Sequence, residues 1–300
     1  MSTSSALRGA ATTVLSRFFV TLPVPSPDKD LSEHVFIVTG SNSGLGLEAV
    51  RHLSRLGAGR IIMAIRNEVK GRDAKAAILA STGRSTSSIE VWYLDMASYD
   101  SIKDFAKQAS ALPRVDGVLA NAGIMTRSFE LCEGTEQTLT VNVIGTFLLY
   151  LLLVPKMRES YQQTGNICHY VIPNSALHYL SPISELEIRS EGLFGRLSDP
   201  KKADMAGRYG LSKLVVIYAV RELAKRGVEE AGKCRVIINT PNPSFCKSNL
   251  ARERNETFAF RLGEKIFARS TEEGSRTTVH GLFAGEESNG QYLANCHVET

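Results

Sequence analysis

Short runs of consecutive apolar residues recur along the chain: HVFIVT at 34–39, RIIMAI at 60–65, IEVWYL at 89–94, DGVLA at 116–120, NICHYVI at 166–172, RVIINT from Arg235 and GQYLA at 290–294. Within each run the apolar positions are continuous rather than alternating, the pattern of strands covered on both faces. Between them the period lengthens to that of a helix, as in Leu47, Val50, Leu53 and Leu56. Strands alternating with helices predict an α/β fold: one domain over residues 32–300, with a doubly wound parallel sheet of about seven strands flanked by helices. The most apolar stretch, VIGTFLLYLLLV at 143–154, is closed by Pro155. At fewer than the roughly 20 residues a membrane span requires, it reads as a buried core helix. Two segments break the alternation, 177–208 and 244–261. Each follows the carboxyl end of a strand, where open α/β sheets bind ligands.

Composition narrows the class. Hydrophobic residues make up 43% and charged residues 22%, an ordinary soluble balance that excludes disordered and fibrous classes. A net charge of +4 gives no warrant for nucleic acid as a partner. Cys132, Cys168, Cys234, Cys246 and Cys296 form no CxxC pair, which fits a reducing, cytoplasmic setting. Residues 1–31 read as an N-terminal arm, partly disordered, with 18–22 packed on the body. Its early stretch, with Arg8 and Arg17 and no acid before Asp28, shares the composition of a mitochondrial transit peptide, the alternative location.

The first strand ends in Thr39-Gly40-Ser41-Asn42-Ser43-Gly44-Leu45-Gly46, directly before a helical period. Glycines between a strand and a helix let backbone N–H groups and the helix N-terminus approach a pyrophosphate, the arrangement of a Rossmann-type dinucleotide site. Gly40, Ser41, Ser43, Gly44, Leu45 and Gly46 are the candidate contacts. An NAD site places an acid after the second strand, whereas Arg66 stands there, with Ser41 and Lys70 in support. A cation suits a 2′-phosphate, so the expected cofactor is NADP(H). Asp95 and Met96 close the third strand at the adenine position, where Asp95 alternatively caps the following helix. Asn121, Ala122 and Gly123 follow the fourth strand and let the backbone lie close to the cofactor.

Tyr209 and Lys213, in YGLSK, lie four residues apart inside a helical stretch and so share a face. An ammonium near a phenol, with the charge of an oxidised nicotinamide, is expected to lower the phenol's pKa and let it act as acid or base. With TGSNSGLG, NAG, the Ser175 strand end and YGLSK in this order, the chain resembles the short-chain dehydrogenase/reductase family over residues 34–295. The resemblance implies that Ser175 holds the substrate carbonyl and that Asn142 kinks the long helix and holds a water of the proton relay. It also implies that Lys213 bonds the nicotinamide ribose, that Pro243 lies against the nicotinamide and that Ser248 contacts its carboxamide. FFVTLPVPSPDKD, RNEVKG, NPSFCKSNLARE and GQYLANCHV look like a narrower group, the fungal reductases related to retinol dehydrogenases, many of them in secondary-metabolite pathways.

The implied activity is hydride transfer between NADP(H) and a carbonyl or alcohol of a small molecule. The long apolar interval before Tyr209 suggests a bulky, largely apolar substrate. Three departures from the family pattern support a rival reading, a dinucleotide-binding or scaffold protein without turnover. Pro173 precedes Ser175 by two residues, Ser244 stands where a glycine is usual, and the chain ends soon after its last strand. The apolar helix at 143–154 is also a candidate homodimer surface. No metal site is expected.

Overall fold

The computed structural model describes residues 15–181, 183–187, 192–231, 235–247, 250 and 267–299. All seven apolar runs form strands: β1 Val35–Thr39, β2 Arg60–Ile65, β3 Ile89–Tyr93, β4 Gly117–Leu119, β5 Cys168–Val171, β6 Val236–Asn242 and β7 Tyr292–Ala294. A two-residue strand, β8 His297–Val298, is added at one edge. The sheet order is β8-β7-β6-β5-β4-β1-β2-β3. Every pairing is parallel except β7 with β8. The chain therefore winds outward from β1 to β3 and then crosses to β4 on the other side, which opens a crevice at the carboxyl ends of β1 and β4.

Helices α1 Gly44–Arg55, α2 Glu68–Thr82, α3 Tyr99–Ser110, α4 Gln137–Thr164, α5 Arg208–Ala231 and α6 Thr271–Gly281 connect the strands. Alternate residues of β1 face opposite ways. Phe36 and Val38 join Val50, Leu53, Ile78 and Val279 beneath α1, α2 and α6. Ile37 joins Ile102, Phe105, Leu149, Leu153, Val216 and Val220 beneath α3, α4 and α5. These two apolar layers are the reason the central strands read as continuous hydrophobic runs.

Pro155 does not close α4, which runs through it to Thr164. A proline removes one bond to the carbonyl four residues back. Here that residue is Leu151, which is exposed, so water can satisfy its carbonyl. Among the described residues α4 is the one helix long and apolar enough to cross a membrane, and 61% of its most apolar window is buried in the fold. It is a core helix.

Residues 1–14 lie outside the described part of the arm. From residue 15 the arm packs on the body: Leu22 and Leu31 are fully buried, and Phe18 meets Phe267 edge to face.

Candidate active site

The turn after β1 is latched to the loop after β4. Gly40 has φ +62°, and a Cβ there would stand 2.9 Å from Ala122 Cα. Across this close approach Ala122 N donates to Thr39 Oγ1 (2.8 Å), and Asn121 Nδ2 donates to the Thr39 carbonyl (3.1 Å). A Cβ on Gly46 would meet Asn121 Nδ2 at 2.5 Å and the Gly40 carbonyl at 2.8 Å, so only glycine lets α1 begin there. Ser43 occupies the N-cap of α1 but makes no side-chain cap bond. Asn67, Ser98 and Ser270 do cap α2, α3 and α6. The first-turn N–H groups of Gly44, Leu45 and Gly46 thus lack a side-chain acceptor, which fits a pyrophosphate. Ser41 is fully buried and its hydroxyl donates to the Val38 carbonyl (3.0 Å), so it anchors the turn from inside.

Arg66 follows β2 directly and is exposed, with no ion-pair partner among the described residues. Asn67 Oδ1 accepts from Lys70 N (3.0 Å), and the exposed Lys70 side chain stands one turn into α2. Asp95 is not the cap of α3; Ser98 is. Instead Asp95 Oδ1 accepts from Ala97 N (2.9 Å) in a local turn, and its other oxygen is unbonded among the described residues. Met96 is buried, its carbonyl pressed on Gly145 of α4.

The residues expected to carry chemistry converge at the carboxyl ends of β4, β5 and β6. Tyr209 lies in the first turn of α5 and Lys213 one turn on, both buried. Burial pushes the Tyr209 phenol up to about 12, and its hydrogen bond with Ser175 pulls the other way. Burial brings Lys213 down to about 8. Lys213 Nζ donates to the Pro173 carbonyl (2.7 Å) and stands 5.7 Å from the Tyr209 ring centre. Burial therefore sets the direction of the phenol's shift in the protein alone, whereas the lowering expected from the sequence also draws on the charge of an oxidised nicotinamide.

Asn142 sits in a π turn, Thr140–Gly145, which interrupts the α-helical pattern of α4. Its amide clamps the loop after β4, accepting from Ile124 N (2.9 Å) and donating to the Ile124 carbonyl (2.9 Å) and Ser212 Oγ (3.1 Å). Ser212 in turn donates to the Tyr209 carbonyl (2.7 Å). Pro173 does little harm to the sheet. Ile172 N and Asn174 N donate to β6, so an N–H at 173 would point toward β4, which has already ended at Leu119.

Three supporting side chains had no distinct signal in the sequence or a lesser one. Asn174 is buried, accepts from Ser175 N (2.8 Å) and donates to the Lys213 carbonyl (3.2 Å), tying the serine to α5. His178 Nδ1 lies 2.7 Å from the Ser175 carbonyl, consistent with a loop role rather than a reacting one. Arg208, immediately before Tyr209, forms a fully buried pair with Glu136 (3.2 Å), which also caps the start of α4 through Thr138 N and Leu139 N. Arg208 adjoins the YGLSK motif, but its partner lies 72 positions away.

Beyond β6, Pro243 leads into Ser244, whose φ is +67°. Ser248 lies outside the described residues. A left-handed serine is strained by about 1–2 kcal/mol, part of which glycine returns through its freer unfolded chain. Ser244→Gly is expected to stabilise the protein by roughly 0.5–1 kcal/mol in urea denaturation. A loss of stability would show that the serine side chain stabilises the turn by more than its backbone is strained, since glycine keeps the backbone N–H that donates to Asn242 Oδ1 (3.0 Å).

Residues 34–171 match the family model described as short chain dehydrogenase. The chain is 40% identical over 288 residues to the short chain dehydrogenase/reductase dmxR8 of Cryptosporiopsis sp. strain 8999, covering 95% of this chain and 87% of that one. The chain belongs to the short-chain dehydrogenase/reductase family. It is also 41% identical over 287 residues to the short chain dehydrogenase atnD of Emericella nidulans, covering 93% of this chain and 90% of that protein. Among solved structures, a short chain dehydrogenase of Salmonella enterica serovar Typhi matches with TM-score 0.64 and 22% identity, covering 90% of this chain and 99% of the other. Another, from Escherichia coli CFT073 and complexed with NADPH, matches with TM-score 0.61 and 21% identity, covering 90% and 99%. These likenesses place the fold within the family, and family membership makes the protein an oxidoreductase that uses a nicotinamide dinucleotide.

Proposed function

We propose that the protein is an NADP(H)-dependent reductase of a ketone or aldehyde on a bulky, largely apolar metabolite, acting in the cytoplasm in secondary-metabolite biosynthesis. The observation that carries the reading is the meeting of Ser175, Tyr209 and Lys213 beside a turn whose helix N-terminus has no side-chain cap. When bound, the nicotinamide supplies or accepts the hydride. Ser175 holds and polarises the carbonyl oxygen, and Tyr209 delivers the proton to it as the alcohol forms. Lys213 returns a proton toward Tyr209 and orients the ribose. The cluster acts chiefly by position, holding donors where charge develops. Arg66, exposed and without an ion-pair partner among the described residues, supports the 2′-phosphate assignment. The reductive direction follows from that assignment, since cellular NADP pools are kept reduced.

A fluorescence titration with NADPH and with NADH tests the cofactor. NADPH is expected to bind at least about tenfold more tightly, 1.4 kcal/mol, and to support turnover of bulky ketones or aldehydes. A preference for NADH would overturn the role of Arg66 and keep the reductase. The strained Ser244 favours the second reading, a dinucleotide-binding or scaffold protein without turnover. NADPH binding with no turnover of any carbonyl compound would move the conclusion there.

A further inference from the structure

Arg269 is among the largest side chains with no solvent exposure, and it lies outside every motif of the site. A buried guanidinium is costly where its donors are unmet; here both terminal nitrogens find acceptors, while Nε has none among the described residues. Its Nη2 donates to two carbonyls of the arm, Ser16 (3.1 Å) and Val20 (2.9 Å), and Nη1 pairs with Glu273 on α6. One turn further along α6, Arg276 Nη1 donates to the Leu22 carbonyl (2.8 Å). The arm is thus stapled to α6 by two arginines, with Leu22 sealed beneath.

The backbone of Arg269 leads back toward the crevice. Arg269 N donates to the Phe245 carbonyl (2.8 Å) and Lys247 N donates to the Arg269 carbonyl (3.0 Å), so residues 245–247 are paired with Arg269 on both sides of Cys246. Cys246 Sγ in turn donates to the Pro243 carbonyl (3.0 Å). Gly274 of α6 closes the circuit, since a Cβ there would touch Leu45 of the glycine turn at 3.1 Å and the Pro243 carbonyl at 3.3 Å. The glycine turn, the segment after β6 and α6 therefore meet at Gly274, and the arm is fastened to the same side of that segment through Arg269. Ser244 needs such support, because its left-handed backbone is not a conformation it would keep unaided.

We propose that the N-terminal arm, acting through Arg269, is a positioning element for the cofactor. By bracing residues 243–247, it fixes the wall of the crevice at the nicotinamide end. Arg269 touches neither cofactor nor substrate; it acts through the segment it holds. The inference rests on the cofactor reading above and adds to it a role for a segment outside the dinucleotide motifs.

The test compares two probes. NADPH spans the crevice, whereas 2′,5′-ADP carries only the adenosine end with its 2′- and 5′-phosphates. In full-length Arg269→Lys, the ammonium keeps the charge toward Glu273 but lacks the planar fork that reaches both arm carbonyls. NADPH is expected to bind at least about fivefold more weakly to this variant, while 2′,5′-ADP changes by less than about twofold. Unchanged NADPH affinity, or an equal loss for both probes, would overturn the proposal in favour of a general packing role. A second measurement needs no variant. Coupling is reciprocal, so NADPH must stabilise the docked arm by the factor through which the arm favours NADPH. Amide exchange across residues 16–22 of the wild-type protein is expected to slow with saturating NADPH and not with 2′,5′-ADP. Equal exchange with both would overturn the coupling. If the wild-type protein prefers NADH, the same comparison is made with NADH and ADP-ribose. Failure of every dinucleotide to bind the wild-type protein would overturn the cofactor reading and this one together.

Discussion

Tyr209→Phe is expected to lower kcat roughly 10²–10⁴-fold, the usual contribution of a positioned proton donor, while NADPH binds as it does to the wild-type protein. The substitution removes one oxygen and keeps the ring, which is packed in the first turn of α5. The Ser175 hydroxyl loses its bond to the phenol, but Asn174 still holds the serine backbone. The direction of the phenol's shift gives the pH dependence. Burial holds Tyr209 up at about 12, so near neutral pH it carries the proton that reduction consumes. In the wild-type enzyme reduction should be flat around neutrality and fall only on the alkaline side, whereas oxidation of the alcohol should rise with pH. The variant should lose that dependence along with the rate. Steady-state kinetics in both directions, with a parallel fluorescence titration, check this. Loss of NADPH binding in step with turnover would make Tyr209 a packing residue and remove it from the proton path.

The fold was legible because its central strands are buried on both faces, leaving runs such as VFIVT and RIIMAI without polar interruption. The glycine turn and YGLSK were legible for a related reason: each acts through short, fixed spacing within one turn or one helical face. What escaped is set by contacts between distant positions. Glu136 reads as an unremarkable acid until Arg208 is folded against it, and Arg269 as a surface cation until the arm covers it. Asn174 shows the same limit, since its three bonds reach Ser175, Lys213 and Thr240 on different elements. Pro155 misled for a local reason. In the sequence it closes the apolar stretch, but the carbonyl it leaves unbonded belongs to exposed Leu151, so the helix continues. Spacing shows only that Tyr209 and Lys213 share a face, whereas the burial of the pocket that raises the phenol appears only in the fold.

Lys213→Met is expected to abolish turnover and to make the cofactor-free protein more stable. The fold holds Lys213 at about 8, against an ordinary 10.5, because its ammonium is buried. At 1.36 kcal/mol per pH unit, this difference is a penalty on the order of 3 kcal/mol for keeping the lysine charged. Below about pH 8 the residue is protonated in both the folded and unfolded states, and the penalty is carried in full. As pH rises from about 8 toward 10.5 the folded state releases its proton first, so the penalty fades and this residue's contribution to stability improves. Methionine fills similar volume without a charge. It forfeits the charge-assisted bond to the Pro173 carbonyl, about 1.5–3 kcal/mol, leaving a net gain of at most about 1.5 kcal/mol near neutral pH. The gain should shrink on going to alkaline pH, a trend that distinguishes relief of a buried charge from simple improvement in packing. Urea denaturation of wild type and variant at two pH values measures both the gain and its trend. A variant less stable at both would mean that the bond to Pro173 outweighs desolvation. In the proposed mechanism, the ammonium that burial makes unfavourable to the fold is the group that returns a proton to Tyr209.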